Sequence, residues 1–127
     1  MFVVCGEALM DVYMGESTPT GLRLDARIGG SPLNVAQGLA RLARPAAFLS
    51  TVSTDAIGER LLASLVAEGV DTSLVLRSDA PSTLSVVSID ATGVPRYDFH
   101  GNGAADRQLT PGTLPALPAQ TRVLQFG

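Results

Sequence analysis

Between Met1 and Leu76 the hydrophobic pattern alternates between short buried runs and helical stripes, and that alternation limits the fold more than any other feature. Met1–Glu7 is a short apolar run ended by Gly6, the signature of a buried strand. A helix is predicted from about Pro32 to Ala43, with Val35, Ala36, Leu39, Leu42 and Ala43 as its apolar stripe. Ser31 is placed as its N-cap and Pro32 as its first helical residue, where the missing N–H is no loss. Arg41 and Arg44 suit its C-terminal end, and Pro45 stops it. Ala46–Val52 is a second buried strand. A second helix follows over Ala56–Glu68, capped by Asp55 and closed by Gly69, with Ile57, Leu61 and Leu65 inward and Leu62 and Val66 alongside. Val70–Leu76 is extended again. Strands joined through helices by short links form a parallel sheet, so the chain is predicted to be α/β.

Elsewhere the pattern departs from that rule. Ala8–Tyr13 continues extended, Met14–Thr20 is turn-rich, and Leu22–Ile28 alternates as a half-exposed strand. Thr83–Ile89 is β-branched, Asp90–Gly93 is a turn and Pro95–Phe99 runs back, which predicts a hairpin. With Leu22–Ile28 it can build a small sheet outside the main layers. Gly101–Asp106 is a loop, Pro111–Leu117 is predicted as a short helix, and Arg122–Gly127 as a last strand.

The chain has 127 residues, 46% hydrophobic and 17% charged, with a net charge of −3. That supports one packed core and argues against nucleic acid as a main partner. No apolar run approaches the roughly 20 residues a membrane helix needs, and no basic leader precedes the first strand. Cys5 is the single cysteine, so no internal disulfide forms and a reducing cytoplasm is expected. An apolar strand at the C-terminus with nothing to cover it reads as a piece of a longer protein.

Chemistry concentrates in Gly29-Gly30-Ser31-Pro32-Leu33-Asn34. Bare backbone, a helix start and one amide make a corner suited to a polyhydroxylated or anionic ligand. The glycines alone fit a simple turn equally well. Asp11, just past the first strand, lies where open α/β sheets place ligand contacts, and a carboxylate there can accept sugar hydroxyls. Tyr97 and Phe99 share one strand face and serve either as hairpin packing or as an apolar wall for the ligand. His100 and Asp106 read as loop residues and Cys5 as core. No dinucleotide or phosphate-loop motif, metal-ligand spacing or nucleophile elbow occurs.

These segments resemble the ribokinase-like (PfkB) carbohydrate kinases, in their fructokinase-like branch. Gly6-Glu7-Ala8-Leu9-Met10-Asp11 is similar to the family's opening strand and sugar-contacting aspartate. The stretch from Gly29 to Ala36 with Leu39–Leu42 is similar to its N-terminal signature. Thr54–Gly58 and Gly69–Thr72 resemble the two turns that follow, although Ser53 stands where the family usually has glycine. The resemblance implies a three-layer sandwich with a small β-sheet lid, residues 1–127 forming the N-terminal portion of one kinase domain and lid strands lying at about 14–28 and 83–99. It implies ATP-dependent phosphorylation of a sugar hydroxyl, with Asp11, Gly29, Gly30 and Asn34 holding the sugar and Phe99 covering it. ATP with Mg2+ and the catalytic G-A-G-D motif would belong to a C-terminal half, so this portion alone is expected to be inactive. A homodimer through the lid is a further implication. A nucleoside kinase of the same superfamily, or a non-catalytic sugar-binding or assembly protein, are the alternatives.

Overall fold

The computed structural model describes residues 1–127. Its first strand, β1 (Phe2–Cys5), is flanked on both sides by parallel partners, as the βαβ pattern demands. β4 (Ala46–Ser53) pairs with it from Phe2–Ala46 to Cys5–Leu49, and β8 (Val123–Phe126) from Phe2–Val123 to Cys5–Phe126. β5 (Val75–Ser78) adds to β4, giving the order β5-β4-β1-β8. β4 is buried along its whole length, so the sheet is covered on both faces there.

Helix α1 (Ser31–Arg41) connects toward β4, and α2 (Ala56–Ala67) connects β4 to β5. Both lie on one face. Leu33 and Ala36 of α1 and Leu61 and Leu65 of α2 enclose Val4, Phe48 and Val52 in one cluster. The opposite face gathers Val3, Cys5, Ala47, Leu49 and Leu74, with Leu109 packed against them. Within these residues, then, the helices are not split between the faces. Arg41 binds Glu68 through two hydrogen bonds, at 2.8 and 2.5 Å, fastening the C-terminal ends of the helices together.

A second sheet stands apart from the first, in the order β3-β2-β6-β7. It comprises β2 (Leu9–Thr18), β3 (Gly21–Gly29), β6 (Thr83–Ile89) and β7 (Pro95–His100). The β2–β3 and β6–β7 pairs are antiparallel hairpins, and β2 and β6 join them in parallel. Asp90 closes the second hairpin, accepting hydrogen bonds from Thr92 and the Val94 N–H.

Several local expectations are corrected. Met14–Thr20 is not turn-rich: β2 runs to Thr18, and a register shift between Met14 and Ser17 absorbs the irregularity. Ser31 is not the cap of α1. Gly30 is, without a side-chain cap bond, and Ser31 and Pro32 open the helix. Val35 and Leu42 are exposed, and the buried face is Pro32, Leu33, Ala36 and Gln37. Gln37 tolerates burial because its amide donates to Ser64 Oγ across the helix pair at 2.7 Å. Val66 is likewise exposed. The stretch Val70–Leu76 keeps only a bridge at Asp71 to Ala47 before β5 begins. Pro111–Leu117 forms a turn and no helix, since its prolines lack donors, and the short helix present is a 3-10 turn at Ala105–Arg107.

Candidate functional site

The strand registers of the second sheet put named side chains on one face. Partners across a ladder share a face. Arg27, Asp11, Ser85 and Phe99 therefore form one row, crossing β3, β2, β6 and β7 in turn. Asp25, Tyr13, Val87 and Tyr97 form the row beyond it, and Gly29, Leu9 and Thr83 the row nearer the main sheet.

Asp11 leans toward β3 and over Gly29. A Cβ placed on Gly29 would overlap Asp11 Oδ2 and lie 2.9 Å from its Cγ. The bare backbone at Gly29 thus accommodates a carboxylate of the chain itself. Gly30 has its own reason: its φ is +105°, and a Cβ there would lie 2.8 Å from the Glu7 carbonyl oxygen. Arg27 faces Asp11 across the ladder, but its guanidinium binds Asp25 at 2.9 Å and lies 5.6 Å from the Tyr13 ring centre. The Asp11 carboxylate is left half-buried and outside every ion pair of the chain.

Asn34 sits in the first turn of α1, its N–H donating to the Gly30 carbonyl at 3.0 Å, with its side chain exposed. Asp11, Gly29, Gly30 and Asn34 therefore follow one another along the junction between the second sheet and α1. Phe99 lies two strands from Asp11, roughly 10 Å away at strand spacing. It is 61% exposed, and Tyr97 is 57% exposed, so neither ring is packed into a hairpin core. The rings toward the edge of this face are open to solvent, while Leu9, Thr83, Ser85 and Val87 on the same face are buried. The cavity of about 200 Å³ lies elsewhere, beside β4 and β5, lined by Thr51, Leu76, Arg77, Ser78, Gln108 and Thr113.

Two carboxylates fix the root of the β6–β7 hairpin. Asp55 caps α2 through the Gly58 N–H at 2.7 Å, as expected, and also accepts from Ser82 N at 2.8 Å and Ser82 Oγ at 2.7 Å. Burial works to raise its pKa, but the hydrogen bonds from Gly58 and Ser82 outweigh it and hold the carboxyl below its ordinary value. Asp106 serves more than a local turn: it accepts from Thr83 Oγ1 at 2.6 Å, while Ala105 N–H donates to the Pro81 carbonyl. Nothing in the local sequence around residues 55 or 106 announces a partner more than 20 positions away.

His100 is exposed as expected but is not a loop residue: it ends β7 and pairs with Leu84. Cys5 is buried, which pushes its thiol pKa up. Arg27, Tyr13 and Ser85 were not singled out by sequence. Their common signal is parity, since each is an even number of positions from Asp11, Gly29 or Phe99 on its strand or faces one of them across a ladder. No group of His, Cys, Asp and Glu suited to a metal ion occurs, and no helix is long and apolar enough to cross a membrane.

The model of the pfkB family carbohydrate kinases matches residues 1–124. A fructokinase of Rhizobium leguminosarum bv. trifolii is 35% identical over 127 residues, covering 100% of this chain and 39% of the relative. A fructokinase structure from Xylella fastidiosa superposes with a TM-score of 0.83 at 29% identity, covering 90% of this chain and 36% of that one. The same enzyme with bound ATP gives a TM-score of 0.82 at 26% identity, covering 90% and 37%. The chain thus spans well under half the length of the proteins it matches.

Proposed function

This chain belongs to the pfkB family of carbohydrate kinases, with the ribokinase-like fold of that family, and we propose that it is the sugar-holding portion of an ATP-dependent, fructokinase-like kinase. The observation that carries the reading is the Asp11 carboxylate, unpaired and laid over Gly29, on the same face as the exposed Phe99 ring. A carboxylate accepts hydrogen bonds from sugar hydroxyls, and bonds to a charged group are the stronger kind. Asn34, at the start of α1, adds an amide that can donate and accept. Phe99 supplies an apolar cover for a ring resting on the Asp11 row. The two hairpins act as the lid, excluding water so that phosphoryl transfer to the sugar outcompetes hydrolysis.

ATP and Mg2+ enter this reading through the family and through the ATP-bound fructokinase alone. The residues present offer no metal-ligating group for Mg2+, so no step is routed through it. The reading places the protein in the cytoplasm, consistent with one buried, unpaired thiol. It includes a homodimer through the lid face opposite Asp11, where Met14 and Leu24 pair and are 45% and 57% exposed.

The test uses the full-length protein. Asp11→Ala and Asn34→Ala each raise the KM for sugar about tenfold or more, with the KM for ATP unchanged. Unchanged sugar kinetics in both variants would end the assignment. A second reading, a nucleoside acceptor, draws on Tyr13, Tyr97 and Phe99, exposed rings on one face. Turnover of a panel of sugars and nucleosides with ATP separates the two.

A further inference from the structure

Ser85 is 1% exposed, and its hydroxyl has no hydrogen-bond partner in the chain. It lies in β6, an inner strand whose backbone is engaged by β2 on one side and β7 on the other. The hydroxyl therefore has no vacant neighbouring ladder group to turn to. Thr83, on the same face of the same strand, is satisfied by Asp106. Asp11, beside Ser85 on β2, leans away toward Gly29. A buried hydroxyl without a partner is costly, and its presence calls for an explanation.

We propose that Ser85 is a specificity-determining residue, whose hydroxyl donates to the oxygen of one substrate hydroxyl while that hydroxyl donates its own hydrogen to Asp11. The proposal rests on the sugar-kinase reading and goes beyond it in naming a selection rule. Adjacent strands are about 4.8 Å apart, so with the Asp11 side chain turned from Gly29 toward β6, one oxygen placed between it and Ser85 reaches both at hydrogen-bonding distance. Donor and acceptor counts then balance: the serine gives a hydrogen, the substrate hydroxyl takes it and passes its own to the carboxylate. Phe99 faces Ser85 across the β6–β7 ladder and is largely exposed, so its ring stands beside that oxygen. A substrate lacking that hydroxyl leaves Ser85 unpaired, so the site selects against one particular deoxy sugar.

Ser50 provides an internal control. Its hydroxyl is also buried and unpartnered, but it lies in β4 of the main sheet. The experiment compares full-length wild type, Ser85→Ala and Ser50→Ala, measuring kcat/KM for fructose and each of its monodeoxy analogues, together with the melting temperature. Wild type is expected to discriminate about tenfold or more against the analogue lacking the bridging hydroxyl. Ser85→Ala loses that discrimination at this one position and keeps the others. Ser50→Ala keeps all of them. Both variants melt no lower than wild type, because neither loses a hydrogen bond. The proposal is overturned if Ser85→Ala discriminates at every position as wild type does. A fall in melting temperature confined to Ser85→Ala also overturns it, since the hydroxyl would then have a partner within the protein. Wild type that phosphorylates fructose while Ser85→Ala behaves identically removes this inference alone. Wild type that phosphorylates no sugar removes the kinase reading and this inference with it.

Discussion

The two sheets of this molecule solve opposite problems. In the main sheet, Val3, Val4, Ala47 and Phe48 are completely buried, and every β4 residue that pairs with β1 is buried. In the second sheet, β3 is exposed for most of its length, and Tyr97 and Phe99 stand in solvent. Its polar side chains split between those that anchor it, as Thr83 does through Asp106, and those left without partners, as Ser85 is. The main sheet is held by burial of its own apolar surface. The second is held by its ladders and by two carboxylates at its root. The two sheets are thus held by different means, which lets side chains in one change with little effect on the other.

The sharpest way to break this contrast is a pair of phenylalanine truncations in the full-length protein. Phe48→Ala, in the fully buried core, is expected to cost about 3–5 kcal/mol in denaturant unfolding. Phe99→Ala is expected to change stability by no more than about 0.5 kcal/mol while raising the KM for sugar. Equal losses of stability would show that the second sheet shares the core of the first. A smaller effect is expected from Gly29→Ala. The added methyl displaces the Asp11 carboxylate, so sugar affinity measured by titration falls about tenfold, with a far smaller change in melting. Retained affinity would mean that Asp11 need not lie over residue 29.

The smallest effect concerns pH. The Asp55 carboxyl is held below its ordinary pKa in the folded chain. Its contribution to stability is complete above the unfolded value, about 3.9, and is lost as pH falls through the depressed folded value. Wild type is therefore expected to lose melting temperature below about pH 4. Asp55→Asn flattens part of that acid limb and lowers stability at pH 7, because the amide can still cap Gly58 but cannot accept from both Ser82 donors. An acid limb identical in the two proteins would place the titration on other carboxylates.

Much of the fold was legible in the sequence where its signals are local. The strands Phe2–Cys5 and Ala46–Ser53, the Asp55 cap and the hairpin around Asp90–Gly93 each follow from neighbouring residues. The errors fall where distant packing overrides local preference. Val35 and Leu42 carry the helical period of α1, but the face that meets β1, β4 and α2 is set by Leu33, Ala36 and Gln37. The Met14–Thr20 stretch has turn-forming composition, but pairing with β3 keeps it extended. Of the candidate site, Asp11, Gly29, Gly30, Asn34 and Phe99 are named from sequence, while Ser85 and Arg27 become visible only through the registers that set them beside Asp11.

By itself the sequence determined the α/β class, the Asp55 cap of α2, the family and a short list of candidate site residues. These depend on periodicity, on capping chemistry and on a motif contiguous along the chain. The tertiary structure decided which residues are neighbours across the second sheet, why residue 29 is a glycine, and which buried hydroxyls lack a partner. Those facts arise from the pairing of strands far apart in the chain, and a register is a relation between segments that neither segment carries alone.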